Sequence, residues 1–339
     1  MMIDLSPIIP TEDFWSRQTN VQLYSFNFAP FGISTEITAN EPEVLAAARL
    51  SAGRFSQATK ASSQPIHIQL VVRQETWRPV PDDLSERFVY SGVGAWITLS
   101  AGEWGYGFAN LQTRTAVVFL SPALAAETRL VSRYFIDHYL LNFILTEWAM
   151  LHASCVLDAR RQRLLIMVAP HNTGKSTTAL RLLRAGYFFL ADGMALFQSQ
   201  AGCFKVGGYP VGEVKLRDDI LALLPDYRGE AVNGREQRKT VVNLRAIHPD
   251  RLVEQVVVPS SVQLCFIERD VADRPTQVKP LTVAEALPRL AANTVYWHEA
   301  QQLAHNTAAL HALLEQAELY QVRVNGRLDD IVTTLDQLA

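Results

Sequence analysis

Hydrophobic and polar positions follow two different rhythms along the 339 residues. As far as about residue 130 the apolar runs are short, alternating and interrupted by turn residues, the pattern of half-buried strands. Val21–Phe28 and Ile66–Arg73 alternate, and Thr115–Leu120 is a compact strand. Asn40–Ser51 reads as a helix from its Ala, Leu and Arg content, with Pro42 just inside its start. Ser56–Gln64 is polar and rich in small residues, which predicts a loop. Beyond residue 130 the runs lengthen. Tyr134–Met150 has helical character, Leu151–Leu157 is an apolar strand, Asp158–Gln162 a polar turn and Leu164–Val168 a second strand. A tight polar loop follows, then a helix from Lys175 to about Arg184, with Gly186 as its C′ residue and Tyr187–Ala191 as the next strand. Ser261–Ile267 is a strand, and Thr282–Glu285 has the spacing of a capping box. A helix over Glu299–Gln316, a strand at Leu319–Val324, an Asn325-Gly326 turn and a last helix close the chain. The expected fold is α/β: a β-rich α+β domain over 1–130 followed by a nucleotide-binding domain over 131–339.

Composition narrows the function classes. Hydrophobic residues at 48% and charged residues at 19% describe a folded chain. A net charge of −3 has no basic excess for a nucleic-acid partner. The longest apolar segment, Tyr134–Met150, contains Asp137, His138, Asn142 and Glu147, so no membrane span is expected. The first residues lack a basic stretch and a long apolar core, and the expectation is a cytoplasmic protein. Cys155, Cys203 and Cys265 have neither disulfide-framework nor zinc spacing, which leaves buried thiols in a reducing compartment. Gly92-Val93-Gly94 is followed by Ile97 and a strand, so the dinucleotide fingerprint is absent.

The chemistry concentrates after Leu164–Val168. Ala169, Pro170, His171, Asn172, Thr173, Gly174, Lys175, Ser176 and Thr177 stand between a strand and a helix, the context of a phosphate-binding loop. Such a loop turns its backbone N–H groups around phosphate oxygens, and the helix points its positive end at them. Gly174 lets the backbone approach closely, Lys175 reaches the β- and γ-phosphates, and Ser176 offers a hydroxyl to Mg2+. Ala169 replaces the first glycine of the usual motif. Asp192 ends an apolar strand; with that strand parallel to Leu164–Val168 its carboxylate lies near the γ-phosphate, as a magnesium ligand or as the base for an attacking hydroxyl. The competing reading is a turn-forming aspartate before Gly193.

Leu151-His152-Ala153-Ser154, the phosphate loop, its helix and Leu190-Ala191-Asp192 follow one another at a spacing that resembles the HPr kinase/phosphorylase family, which shares the fold of phosphoenolpyruvate carboxykinase. The likeness extends more loosely to Gly208-Tyr209-Pro210, Lys215-Leu216-Arg217 and Pro259–Leu264, and covers roughly residues 150–290. The resemblance implies that His152 lies near the transferred phosphate and that Asp192 is the base. It also implies oligomerisation, since those kinases form rings. Family members commonly carry a second Asp where this chain has Gly193. His152 as a cap on a buried strand is the alternative. Ser154 and Cys155 have no His/Asp partner pattern that would make a triad. Of the basic residues Lys215, Arg217, Arg235, Arg238, Lys239 and Arg245, Arg217 and Arg238 are the better candidates for a clamp on developing negative charge; solvated surface charge is the other reading. The expectation is an ATP-dependent kinase acting on a hydroxyl of a protein, peptide or small molecule. The alternative is a non-catalytic nucleotide-binding accessory of a peptide-modification or transport system. ATP and GTP are not distinguished by these residues.

Overall fold

The computed structural model describes residues 22–58, 64–73, 78–200, 203–233, 238–270, 274–293, 300–324 and 330–338. The Asn325-Gly326 turn, Arg235, and residues 59–63 of the predicted loop lie outside these residues. The fold is α/β. Two compact units form: one from Met1–Phe28, Ser34–Ser51 and Gln64–Leu140, the other from Ala29–Ile33, Ala52–Ser63 and Leu141–Ala339.

The first unit is a seven-stranded sheet built from β1 (Tyr24–Phe28), β2 (Thr35–Ala39), β3 (Ile66–Val72), β4 (Val89–Val93), β5 (Trp96–Ser100), β6 (Gly105–Asn110) and β7 (Thr115–Leu120), in the order β1-β2-β3-β7-β6-β5-β4. β2–β3 and β3–β7 pair parallel; the other pairs are antiparallel. Alternation sends Ile37, Ile68, Leu70, Val118 and Leu120 inward, where they are buried with Leu45, Ala47 and Ala48 of α1 (Leu45–Ala52). The opposite face carries Ser25, Asn27 and His67 at one end and Phe108, Tyr106 and Trp96 at the other, all exposed. β6 escapes a pattern reading because it contains Gly105 and Gly107. A Cβ at Gly107 would stand 2.7 Å from the Tyr139 hydroxyl and 2.9 Å from the Val117 carbonyl, so tight packing demands the glycine.

The second unit has a six-stranded sheet: β9 (Ser154–Asp158), β10 (Arg163–Val168), β11 (Phe188–Asp192), β17 (Ser261–Arg269), β18 (Gln277–Pro280) and β19 (Glu318–Val324), in the order β11-β9-β10-β17-β19-β18. Its central strands are apolar on both faces. Leu164, Ile166 and Val168 pack with Leu290 of α4 (Val283–Ala291) and with Leu310, Leu313 and Leu314 of α5 (Ala300–Gln316). Leu165 and Met167 pack on the other side with Ala179, Leu180 and Leu183 of α3 (Lys175–Arg184) and Ile331 and Leu335 of α6 (Ile331–Asp336). Two smaller three-stranded sheets complete it. One is β13-β12-β8, from β8 (Ala149–Leu151), β12 (Met194–Gln200) and β13 (Cys203–Tyr209). The other is β14-β16-β15, from β14 (Glu213–Leu216), β15 (Gly229–Asn233) and β16 (Arg238–Asn243). Among the described residues no helix is long and apolar enough to cross a membrane.

Several local expectations are met: α3 ends in Gly186, with φ +106, and the Tyr187 and Gly186 amides bond back to the Leu182 and Leu183 carbonyls. Thr282 and Glu285 form a reciprocal capping box. Two expectations need correction. The helix read over Tyr134–Met150 ends as α2 (Asp137–Ile144), after which the Thr146 hydroxyl turns back to the Phe143 carbonyl and Ala149 enters β8. The strand read over Leu151–Leu157 is two strands, broken at His152-Ala153, because β8 pairs with β12 while β9 pairs with β10 and β11.

Candidate phosphate-binding site

One edge of the six-stranded sheet gathers the polar residues. β10 and β11 both run antiparallel to β9, so they point the same way with β9 between them. Met167 at the end of β10 and Asp192 at the end of β11 are each paired with Ser154, the first residue of β9. Ser154 therefore sits between the phosphate loop that leaves β10 and the carboxylate that ends β11. β17 runs parallel to β10, and so does β19 to β17, so their C-terminal ends reach the same edge.

The loop that leaves this edge bends sharply. Asn172 has φ 63° and Gly174 φ 111°, left-handed conformations that glycine and asparagine adopt most readily. Nothing lies within 4 Å of where a Gly174 Cβ would stand, so its conformation and not crowding favours glycine. Ala169 is buried at the exit of β10, and the missing first glycine leaves the loop intact. Lys175 begins α3 with its side chain buried, and Nζ donates to the carbonyls of Ala169 and, at 3.1 Å, Pro170. These carbonyls occupy the ammonium as phosphate oxygens would. Burial lowers the Lys175 pKa; Asp192 opposes the shift and Lys239 on β16 adds to it. Pro170, His171 and Asn172 are exposed, Thr173 and Gly174 half-buried, and Thr177 is buried in the first turn of α3.

Asp192 is the hub. Its Oδ1 accepts from the Ser176 hydroxyl at 2.8 Å and from the Ser154 hydroxyl at 2.5 Å. His152, at the break between β8 and β9, has Nδ1 2.7 Å from the Gly193 carbonyl. Nδ1 therefore carries the proton, and Nε2 is the acceptor of the neutral ring. Burial is the main cause that pushes the His152 pKa down, and Lys175 is the next. The His171 ring stands 4.9 Å from that of His152. The hydroxyl and carboxylate of Ser176 and Asp192 are hard oxygen donors, as Mg2+ needs; a phosphate-held Mg2+ takes only one or two carboxylates from protein. Among the described residues no group of three or more His, Cys, Asp or Glu is placed to hold a metal unaided.

The structure thus brings together His152, His171, Lys175, Ser176 and Asp192, all expected from sequence. It does not join the two arginines to them by any described contact. Arg217 follows the end of β14 and forms an ion pair with Asp219, with Nε 2.8 Å from Oδ1. Lys215 lies on β14, which stops at Leu216, one residue before Arg217. Arg238 opens β16 opposite Asn233, and its side chain lies outside the described part. Arg245 bonds Glu254 and the Val211 carbonyl. Two residues were missed as site members. Ser154 was weighed only as a nucleophile and set aside, since within the strand read over Leu151–Leu157 nothing marks it as a neighbour of Asp192. Lys239, half-buried and within electrostatic reach of Lys175, was one cation in a run of basic residues.

No family model and no curated protein matches the chain. A solved structure, the Hpr(Ser) kinase/phosphatase from Coxiella burnetii, is similar over 56% of this chain and 92% of that one, at 8% identity and a TM-score of 0.29. A likeness at that score carries no argument about this chain.

Proposed function

We propose that this chain is an ATP-dependent kinase that passes a terminal phosphoryl group to a hydroxyl of a protein, peptide or small molecule. The observation that supports it most is the hydrogen-bonded row Ser176–Asp192–Ser154 beside the N-terminus of α3, with buried Lys175 at the loop's mouth. In phosphate-loop enzymes the loop's Ser/Thr and a carboxylate at a strand end hold the metal together, and the lysine matches phosphate charge. Here the loop amides and Lys175 would hold the phosphates, and Ser176 and Asp192 would hold Mg2+, which would supply charge that neutralises the phosphates. Asp192 takes the acceptor's proton as its oxygen bonds to phosphorus and the bond to the leaving oxygen breaks. His152, whose Nδ1 is bound to the Gly193 carbonyl, would offer Nε2 to the phosphoryl group. Arg217 and Arg238 remain clamp candidates, and the 1–130 segment is proposed to select the acceptor.

A second reading, a nucleotide-binding accessory module of a peptide-modification or transport system, draws on one feature. Asp192 Oδ1 already accepts two hydroxyls, and Gly193 adds no second carboxylate. Incubating the purified chain and its Asp192→Asn variant with γ-labelled ATP and host lysate separates the two. Label transferred by the parent and lost in the variant supports the kinase; saturable ATP binding without any transfer supports the accessory.

A further inference from the structure

β4 is the last strand of the seven-stranded sheet, and all five of its residues are exposed. An open edge is a template for another strand, and natural proteins usually block one with charge, proline or a bulge. Here none is present. The hairpin Val89-Tyr90-Ser91-Gly92-Val93-Gly94-Ala95-Trp96-Ile97-Thr98-Leu99-Ser100 has no charged residue and no proline, and its register from Val89↔Ser100 to Val93↔Trp96 is unbroken. Val89 is 64% and Val93 78% exposed, the largest values among the exposed large apolar residues. Gly92 is the odd residue. A glycine inside a strand weakens it, and it is usually kept where φ is positive or where another group comes close. Gly92 has no positive φ, and a Cβ there would meet only the Trp96 carbonyl at 3.6 Å, an ordinary contact. Its own fold gives no reason for it.

We propose that β4 pairs antiparallel with β4 of a second copy of this chain, about a twofold axis at Ser91. The hydrogen-bond pattern leads to that register. The two-residue turn Gly94-Ala95, with φ +55° at Gly94, makes Val93 and Trp96 a hydrogen-bonded pair. Alternation then points the backbone groups of Val89, Ser91 and Val93 at β5, and those of Tyr90 and Gly92 at the open edge. A twofold at Ser91 sets Tyr90 opposite Gly92 of the second copy, and Gly92 opposite its Tyr90. Each such pair exchanges two N–H···O=C bonds, so every outward group of these two residues finds a partner. The same register lays the Tyr90 ring, which packs on His138 at 4.4 Å, beside a residue with no side chain to oppose it. Val89 meets Val93 on the other face. No like charges are opposed, because the hairpin has none. A one-residue shift would set Tyr90 against Tyr90 or Val93 against Ser91 and waste the glycine.

The test places charge at the axis. Ser91 is exposed, and its opposite neighbour in the pairing is Ser91 of the second copy, so Ser91→Lys alone and Ser91→Glu alone each bring like charges together. Sedimentation velocity of the full-length parent, each variant and their equimolar mixture reads the result. The parent is expected to dimerise at micromolar concentration, each variant to dimerise at least tenfold more weakly, and the mixture to recover the dimer as a Lys/Glu heterodimer. Circular dichroism of each variant confirms that it is folded. A parent that stays monomeric at 100 μM, as it would if the edge serves a foreign strand, overturns the proposal. So does a Ser91→Lys dimer as tight as the parent's.

Discussion

The two large sheets solve the same problem in opposite ways. The six-stranded sheet is covered on both faces: β10 is buried at every residue, with Leu164, Ile166 and Val168 in one core and Leu165 and Met167 in the other. The buried central strands leave polar residues to their ends, where Ser154 and Asp192 meet, with His152 and Ser176 beside them. The seven-stranded sheet is covered on one face, with Trp96, Tyr106 and Phe108 on the other and β4 open at its edge. Burial on both faces concentrates chemistry at an edge; burial on one leaves a surface for contact. The two regions should therefore fail separately.

Asp192→Asn should have the largest effect. It keeps size and one acceptor oxygen but cannot take a proton, so phosphoryl transfer should fall by about 10²–10⁴-fold. ATP affinity should stay within several-fold and the sedimentation behaviour should not change. A parallel loss of ATP affinity and a raised magnesium requirement would make Asp192 chiefly a metal ligand; transfer at the parent rate would make it a turn former.

The next test concerns the open sheet alone. Burial pushes His138 from an ordinary value of 6.5 down to about 4. The unfolded chain takes up that proton at higher pH than the folded one, so stability contributed by the neutral ring is present above about 6.5 and is lost as pH falls towards 4. The loss amounts to roughly 3 kcal/mol at most. Urea titrations of the parent and of His138→Asn at pH 7 and 4.5 measure it. The variant should lose less stability than the parent on acidification; equal losses would assign the acid sensitivity elsewhere.

Ser154→Ala should act more gently, since Ser154 only orients the Asp192 carboxylate. Removing one hydrogen bond of about 1 kcal/mol should slow transfer roughly fivefold and leave ATP affinity alone. Loss as severe as that of Asp192→Asn would make Ser154 a reacting group. The smallest effect is expected of Ala169→Gly. It restores the usual loop residue at a cost in backbone entropy of up to about 1 kcal/mol in thermal stability, and nucleotide affinity should hold or tighten slightly. A large loss of affinity would mean that the loop holds phosphate in another geometry.

Much of the second unit could be read in the residues, for a physical reason: it is punctuated. Gly174 and Gly186 bound α3 to the residue, and the Thr282/Glu285 box starts α4. The insertion of β9 between β10 and β11 could not be read. Leu151–Leu157 is apolar throughout, so nothing in its pattern marks the break at His152-Ala153 where the chain changes sheet. Without that placement Ser154 is a small residue in a strand and not a neighbour of Asp192. Arg217 finds Asp219 two residues away, a local partner that a search for distant anions overlooks. In the open sheet, β6 was hidden by two glycines that its packing requires.

The most direct test of the phosphate-loop account is a titration of the full-length chain with a fluorescent ATP analogue and Mg2+, set beside Lys175→Ala. Lys175 is buried against the loop carbonyls, and on the proposed function it would be the cation that meets the phosphates. Losing one charge-assisted contact of about 1.5–3 kcal/mol should weaken saturable binding by roughly 10- to 100-fold while the circular dichroism spectrum stays the same. Equal affinity in parent and variant, or no saturable binding by the parent, would contradict the account.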